Sequence, residues 1–153
     1  MARKSLADAA EVDGMIDRLA RLTPETRRRW GTMTSAEALC HLGDAFETAL
    51  GAISPKPMRV FGLRGPLVKW ISLDLPLPWP HGIKGPPEID PRRAGTKPDR
   101  FDADRGRVLL LLRRFVADVD DNRPHPMFGA MTRDDWLRWG WLHLDHHLRQ
   151  FGC

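Results

Sequence analysis

The sequence has no long apolar run, and this absence excludes a transmembrane helix. Such a helix needs about 20 consecutive apolar residues. The longest run here covers residues 108–112 and is followed directly by Arg113 and Arg114. Residues 1–4 are basic, but polar and acidic residues follow them instead of the apolar segment of a signal peptide. We therefore expect a cytoplasmic protein that makes no membrane contact.

Cysteine is also scarce, which excludes a disulfide scaffold. The chain has only Cys40 and Cys153, whereas small disulfide-stabilised domains carry several pairs. Cys40 lies among apolar residues, which favours a buried and inert thiol. With 153 residues, 42% of them hydrophobic, the chain can bury a core of its own. We predict a single domain over residues 1–153.

Positive charge is in slight excess but is not concentrated. Lysine and arginine number 24 against 20 acidic residues, which gives a net charge of +4. The one dense cluster, residues 27–29, precedes Trp30 without any motif that reads a nucleic-acid groove. A solvated helix face explains it better. We predict no sequence-specific nucleic-acid binding, and any weak binding should fall steeply with salt.

Four segments carry apolar residues at helical spacing, which predicts an all-α protein built as a four-helix bundle. Capping boxes begin the second and fourth segments at Thr34 and Thr132. Asp102 or Asp104 can cap the third, and Asn122 should help to end it. The segments cover residues 5–22, 34–50, 103–121 and 132–151, with one further helical turn expected at residues 24–30.

Residues 52–100 form a contrasting segment, because they hold ten of the thirteen prolines. Proline excludes regular secondary structure over most of this stretch, although residues 66–73 can form a short helix. A loop of this length in a compact domain is typically a lid, a binding loop or a mobile segment. Its Trp70, Trp79 and Ile83 indicate that it packs on the domain and is not a linker.

Three histidines predict a metal site. His143 and His147 stand four apart in the fourth helix, so they share one face about one turn apart. His41 lies about 9 Å into the second helix, and antiparallel packing would bring it to the level of the other two. Three imidazoles leave one coordination position open, as in catalytic Zn²⁺ sites, with Ni²⁺ or Fe²⁺ as alternatives. The competing interpretation is that these are ordinary core histidines.

Three neighbours are candidates for catalytic roles. Gln150 shares the face of His147, and Asp44 follows His41 by three residues. Asp44 can therefore orient the His41 imidazole, or it can form an ordinary exposed salt bridge. His146 points about 100° away from His147, and we favour a surface position for it over a place beside the metal.

Two further histidines lie on loops. His125 stands between Pro124 and Pro126, which constrain its backbone. His81 belongs to the proline-rich segment and is a weaker candidate for reaching the site.

Four pieces of the sequence carry a resemblance to a known family. They are Trp-Gly-Thr-Met-Thr at 30–34, Leu-Cys-His-Leu at 39–42, His-Pro-Met-Phe-Gly at 125–129, and the histidine-rich stretch 143–152. Together they resemble the DinB-like superfamily of metal-binding four-helix bundles, and within it one uncharacterised branch. The first helix and residues 52–100 match only loosely.

The resemblance implies an up-down-down-up bundle and a metal triad of His41, His143 and His147. Related families include thiol-dependent transferases and a mycothiol-dependent isomerase, an analogy of fold and not of site. Two functional classes follow. One is a metal-dependent transferase or hydrolase that uses a thiol cosubstrate or water on a small molecule. The other is a non-catalytic metal-binding or interaction bundle. A homodimer is compatible with both.

Overall fold

The computed structural model describes residues 3–121 and 123–153. Within these ranges the chain forms five α-helices and no β-strand, which confirms the all-α prediction. The short fifth helix covers residues 66–73, where the sequence allowed one. The helices are α1 Ala9–Ala20, α2 Ser35–Ala49, α3 Pro66–Leu73, α4 Phe101–Asp118 and α5 Arg133–Gln150, and a 3-10 turn covers Pro87–Ile89.

Capping boxes fix the start of both histidine-bearing helices. At α2, the Glu37 backbone N–H donates to the Thr34 hydroxyl at 3.2 Å, and the Thr34 N–H donates to the Glu37 carboxylate at 2.7 Å. Thr132 and Asp135 form the same reciprocal pair at α5, with both distances 3.1 Å. Each box satisfies backbone donors that have no partner inside the helix. The two starting points predicted from the sequence are confirmed.

The ends of two other helices differ from expectation. α1 begins at Ala9 and not at residue 5, because the Asp8 carboxylate accepts the Ala10 N–H at 2.9 Å and caps it there. α4 begins at Phe101 with no side-chain cap, and the Asp104 carboxylate instead accepts the Asp99 N–H at 3.1 Å. α4 ends at Asp118 and not at residue 121, and Asn122, which was expected to help end it, lies outside the described residues.

Residues 24–30 do not form the expected helical turn. Groups in and beside this stretch form hydrogen bonds with other parts of the chain instead. The Arg29 N–H donates to the Gln150 carbonyl at 2.6 Å, and the Ser35 hydroxyl donates to the Thr23 carbonyl at 2.9 Å. Backbone groups satisfied in this way gain nothing from an isolated helical turn.

Contacts at both ends of α1 and α5 show that these helices run in the same direction. The Leu6 N–H, just before α1, donates to the Leu137 carbonyl at 3.2 Å, and Arg18 near its end pairs with Asp145 at 2.9 Å. Gly140 of α5 allows close packing on both neighbours, because a Cβ there would lie 2.7 Å from the Phe115 ring of α4 and 2.9 Å from the Leu6 side chain just before α1. A larger residue at this position would displace both side chains.

α2 runs with α4 and against α5. Asp44 pairs with Arg107 at 2.8 Å, and two residues further along α2, Phe46 packs on Phe115 at 5.0 Å between ring centroids. By contrast, the carbonyl of Trp30, before α2, accepts from the side chain of Gln150, at the end of α5. The antiparallel arrangement that the depth argument required is therefore present.

The proline-rich segment packs on the helices, since Lys69 bonds to Asp135 of α5 and Thr96 to Asp44 of α2. Of the three residues from which this packing was predicted, however, Trp70 and Ile83 are 51% and 39% exposed. The Trp79 indole donates to the Ser72 carbonyl at 2.8 Å, and the Gly65 N–H donates to the Met127 carbonyl at 2.9 Å. A single cluster of buried apolar side chains includes residues from all five helices. Among the described residues, none of the helices combines the length and apolar character needed to cross a bilayer.

Candidate metal centre

The three predicted ligands meet in one buried place. The nitrogen atoms that His41, His143 and His147 offer lie within 4.8 Å of one another, and the group can hold a metal ion. Their ring centroids are 4.8–5.0 Å apart. None of the three residues is more than 9% exposed. The arrangement of one ligand from α2 and two from α5 follows from the four-residue spacing and the antiparallel packing.

A backbone carbonyl fixes the tautomer of His41. Its Nδ1 lies 2.8 Å from the Ile89 carbonyl oxygen. A carbonyl only accepts, so Nδ1 carries the proton and donates it. In the neutral ring Nε2 then carries the lone pair, and it lies 3.0 Å from Nε2 of His143. Burial lowers the pKa of His41, which favours this neutral form.

A chain of two hydrogen bonds fixes the tautomer of His147. The Gln150 amide donates from its nitrogen to the Trp30 carbonyl at 3.0 Å. Its oxygen must then face Nδ1 of His147, which lies 3.0 Å away and donates to it. In the neutral ring, Nε2 of His147 therefore also carries a free lone pair. Gln150, a catalytic candidate from the sequence, acts here by orienting a predicted ligand, as residues around metal sites commonly do.

His143 completes the set at a spacing that suits a metal. Its Nε2 lies 3.0 Å from Nε2 of His41, and two nitrogens bound to one zinc ion lie about 3.3 Å apart at the tetrahedral angle. Burial and the neighbouring histidines lower the pKa of His143 well below its ordinary value, and burial does the same for His147. Neutral imidazoles are the form that binds metal, so the donor set fits a divalent ion.

Asp44 fits neither sequence interpretation, because the Ile89 carbonyl and not Asp44 orients His41, and the Asp44 salt bridge is buried and not exposed. Asp44 is fully buried, and its carboxylate accepts from the backbone N–H and the hydroxyl of Thr96 at 2.8 and 2.6 Å. Arg107 completes the cluster at 2.8 Å. Asp44 thus ties α2 to α4 and to the proline-rich segment. Nearby Cys40 is buried, and burial raises its thiol pKa to about 11, as an inert cysteine requires.

His146 is half-buried and does not occupy the surface position that we favoured. Its ring lies 6.0–6.1 Å from Trp30, Trp79 and His81, and the last of these stacks on Trp30 at 4.2 Å. Its Nδ1 is enclosed without a hydrogen-bond partner among the described residues. Burial lowers the pKa of His146 to about 4, so the ring is neutral near pH 7.

The three histidines open onto a cavity of about 420 Å³. This volume lies in the range of small-molecule sites. The walls are mainly apolar and aromatic, and they include Trp30, Trp79, Phe128 and Trp139. A small molecule in this cavity would touch both the predicted ligands and the proline-rich segment.

A family model described as "Protein of unknown function (DUF1569)" matches residues 1–152. The chain belongs to this family. No curated protein and no solved structure matches it. The function of this DUF1569 member is therefore inferred from the geometry of its side chains.

Sequence reasoning missed two contributors to the site. Ile89 supplies the carbonyl that orients His41, and nothing in the sequence marks which backbone carbonyl will do so. His125 lines the cavity and was considered only as a loop residue. The signal that could have found it is its place in the His-Pro-Met-Phe-Gly stretch at residues 125–129, shortly before the N-cap of the histidine-bearing helix α5 at Thr132.

Proposed function

We propose that this protein is a metal-dependent enzyme of the DinB-like type, a transferase or hydrolase in which a thiol or water is the nucleophile. Its divalent ion, zinc by preference and nickel or iron as alternatives, would be held by His41, His143 and His147. One observation carries the proposal. Three buried imidazoles direct their nitrogens to one point that opens onto a cavity sized for a small molecule.

The helix directions support the DinB-like assignment. α1 and α5 run together, α2 and α4 run together, and α2 opposes α5. An up-down-down-up bundle has this set of directions. We propose that the four long helices form such a bundle, with α3 and the rest of residues 52–100 placed over the open end of the site.

When bound, the ion would lower the pKa of a coordinated water or thiol and stabilise negative charge. The chain's own residues prepare the place for this chemistry. Ile89 and Gln150 hold His41 and His147 in the tautomers that present Nε2. His146, the remaining catalytic candidate, has its ring 5.1 Å from that of His147 and lines the same cavity.

A non-catalytic metal-binding bundle is the alternative, and one observation favours it. The Trp139 ring lies 4.8 Å from the His143 ring, and the Trp79 ring lies 6.1 Å from it on the cavity side. Such cover would suit an ion that is shielded from reactants. The two proposals differ in whether an outside ligand can reach the ion.

Cobalt substitution tests that difference. The protein is loaded with Co²⁺, and its visible spectrum is followed while low-molecular-weight thiols are added. We expect new sulfur-to-cobalt absorption in the wild type and none in His147→Ala. If none of the thiols alters the spectrum, the thiol reaction is contradicted and water is left as the nucleophile. A spectrum that is also insensitive to azide contradicts the enzyme and supports the non-catalytic bundle.

A further inference from the structure

His125 is held in one orientation by its own loop. Its Nδ1 accepts the backbone N–H groups of Met127 and Phe128 at 3.2 and 3.3 Å. The loop itself is closed by two backbone hydrogen bonds between His125 and Gly129, at 2.8 and 2.9 Å. The side chain is thus part of a compact turn between α4 and α5.

Aromatic rings confine the imidazole from the sides. It stacks on Phe128 at 4.2 Å between centroids, and its ring lies 5.5 Å from both Trp136 and Trp139. The residue is only 6% exposed. This packing confines the ring. A flip of the ring would also cost Nδ1 both of its backbone donors.

The hydrogen bonds also fix where the proton lies. Backbone N–H groups only donate, so Nδ1 of His125 is a lone pair and the neutral ring carries its proton on Nε2. No described residue accepts from this Nε2, and it is not among the enclosed polar atoms that lack a partner. His125 lines the 420 Å³ cavity. The Nε2–H therefore faces that cavity as a neutral donor.

We propose that His125 is the specificity-determining residue of the cavity, and that its Nε2–H binds the carbonyl oxygen of a small, largely apolar molecule. The walls around it are phenyl and indole rings, which suit an apolar body. Burial lowers the pKa of His125 to about 3, so the donor stays neutral at physiological pH. A neutral donor suits an uncharged carbonyl, and a site built for a hydrogen bond rejects analogues that lack the acceptor.

This inference names the ligand class of the proposed active site and rests on that proposal for its catalytic meaning. The hydrogen bond itself needs no metal. Two substitutions separate the two nitrogens of the ring. His125→Asn keeps an oxygen near the position of Nδ1 for the Met127 and Phe128 N–H groups but has nothing at Nε2. His125→Gln places an amide N–H near the position of Nε2 and restores the donor.

The experiment compares acetophenone with ethylbenzene, which has nearly the same shape and no carbonyl. Both are titrated into the full chain, zinc-loaded and chelator-treated, with ¹⁵N-labelled histidine observed by NMR. We expect acetophenone to bind about three- to tenfold more tightly in the wild type. It should also shift the His125 Nε2–H signal. The preference should vanish in His125→Asn and return in His125→Gln, with circular dichroism reporting that both are folded.

Three results would overturn the inference: a proton on Nδ1 of His125, an unchanged preference in folded His125→Asn, or no acetophenone binding at its solubility limit. Failure of the proposed function has a different signature. In that case the protein binds no zinc, while the carbonyl preference and the His125 shift persist in the chelator-treated sample.

Discussion

Two buried polar clusters lie one turn apart on α2, and they are completed in opposite ways. In the first, the Asp44 carboxylate receives three hydrogen bonds, two from Thr96 and one from Arg107. In the second, His41 has its Nδ1 satisfied by Ile89, while its Nε2 faces the nitrogen of another histidine at 3.0 Å. The first cluster is closed by the chain itself, whereas in the second the nitrogens of three buried imidazoles lie within 4.8 Å of one another and can hold a metal ion.

The difference separates a structural role from a binding role. Buried polar groups in folded proteins are nearly always satisfied, so a cluster that the chain completes needs nothing more. A cluster of neutral imidazoles with converging lone pairs is satisfied by a cation. The fixed tautomers of His41 and His147 separate the clusters more sharply than burial does, because Asp44 at 0% exposure and the histidines at 8–9% are all buried.

Loss of the closed cluster should have the largest effect on folding. Asp44→Ala leaves Arg107 and Thr96 without their buried partner, and we expect the free energy of unfolding to fall by about 3 kcal/mol. Glu47→Ala removes the other, more exposed partner of Arg107 and should cost less than about 1 kcal/mol. Urea unfolding measures both. Equal losses, or a loss of zinc from folded Asp44→Ala, would break the comparison.

Loss of a support in the open cluster should change metal affinity more than folding. Gln150→Ala removes the acceptor of His147 Nδ1–H, so the His147 tautomer is no longer fixed. We expect zinc affinity to fall about 10–100-fold. The exposed neighbour Arg149, which pairs with Asp145, supplies the control Arg149→Ala. Competition with a chromophoric chelator measures the affinities. An unchanged affinity in Gln150→Ala would show that the Gln150 hydrogen bond does not organise the site.

Acid should destabilise the protein through its buried histidines. The pKa of His125 is about 3 in the folded state and 6.5 in the unfolded chain, so only the unfolded chain takes up this proton between those values. Stability is therefore lost as pH falls through this window, by about 1.4 kcal/mol per pH unit for each such group. Between pH 6 and 4 the free energy of unfolding of His125→Asn should therefore fall by about 2.5 kcal/mol less than that of the wild type. Urea unfolding at three pH values checks this, and parallel slopes for the two proteins would contradict it.

The sequence was sufficient where short-range rules decide the structure. Thr34 and Thr132 define helix starts because a capping box needs only two residues three positions apart. The depth of His41, His143 and His147 could be compared because the rise of a helix is constant. These two rules together predicted which histidines would meet.

The sequence was insufficient where distant contacts decide. His41 and Ile89 are 48 residues apart, and the proline-rich segment between them has no periodicity from which that contact could be derived. Residues 24–30 have a proline-led helix signature, yet their backbone bonds to the end of α5 instead. Tertiary hydrogen bonds outweighed a weak local preference in that segment.

Metal analysis of the purified protein tests the central claim most directly. The full chain, His143→Ala and His146→Ala are each exposed to equimolar Zn²⁺, dialysed and measured for metal per folded chain. His146 is the matched control, since it is a histidine on the same helix outside the converging group. We predict one ion in the wild type and in His146→Ala, and strong loss in His143→Ala. Equal metal content in His143→Ala and the wild type, or no metal in any of the three, would contradict the account.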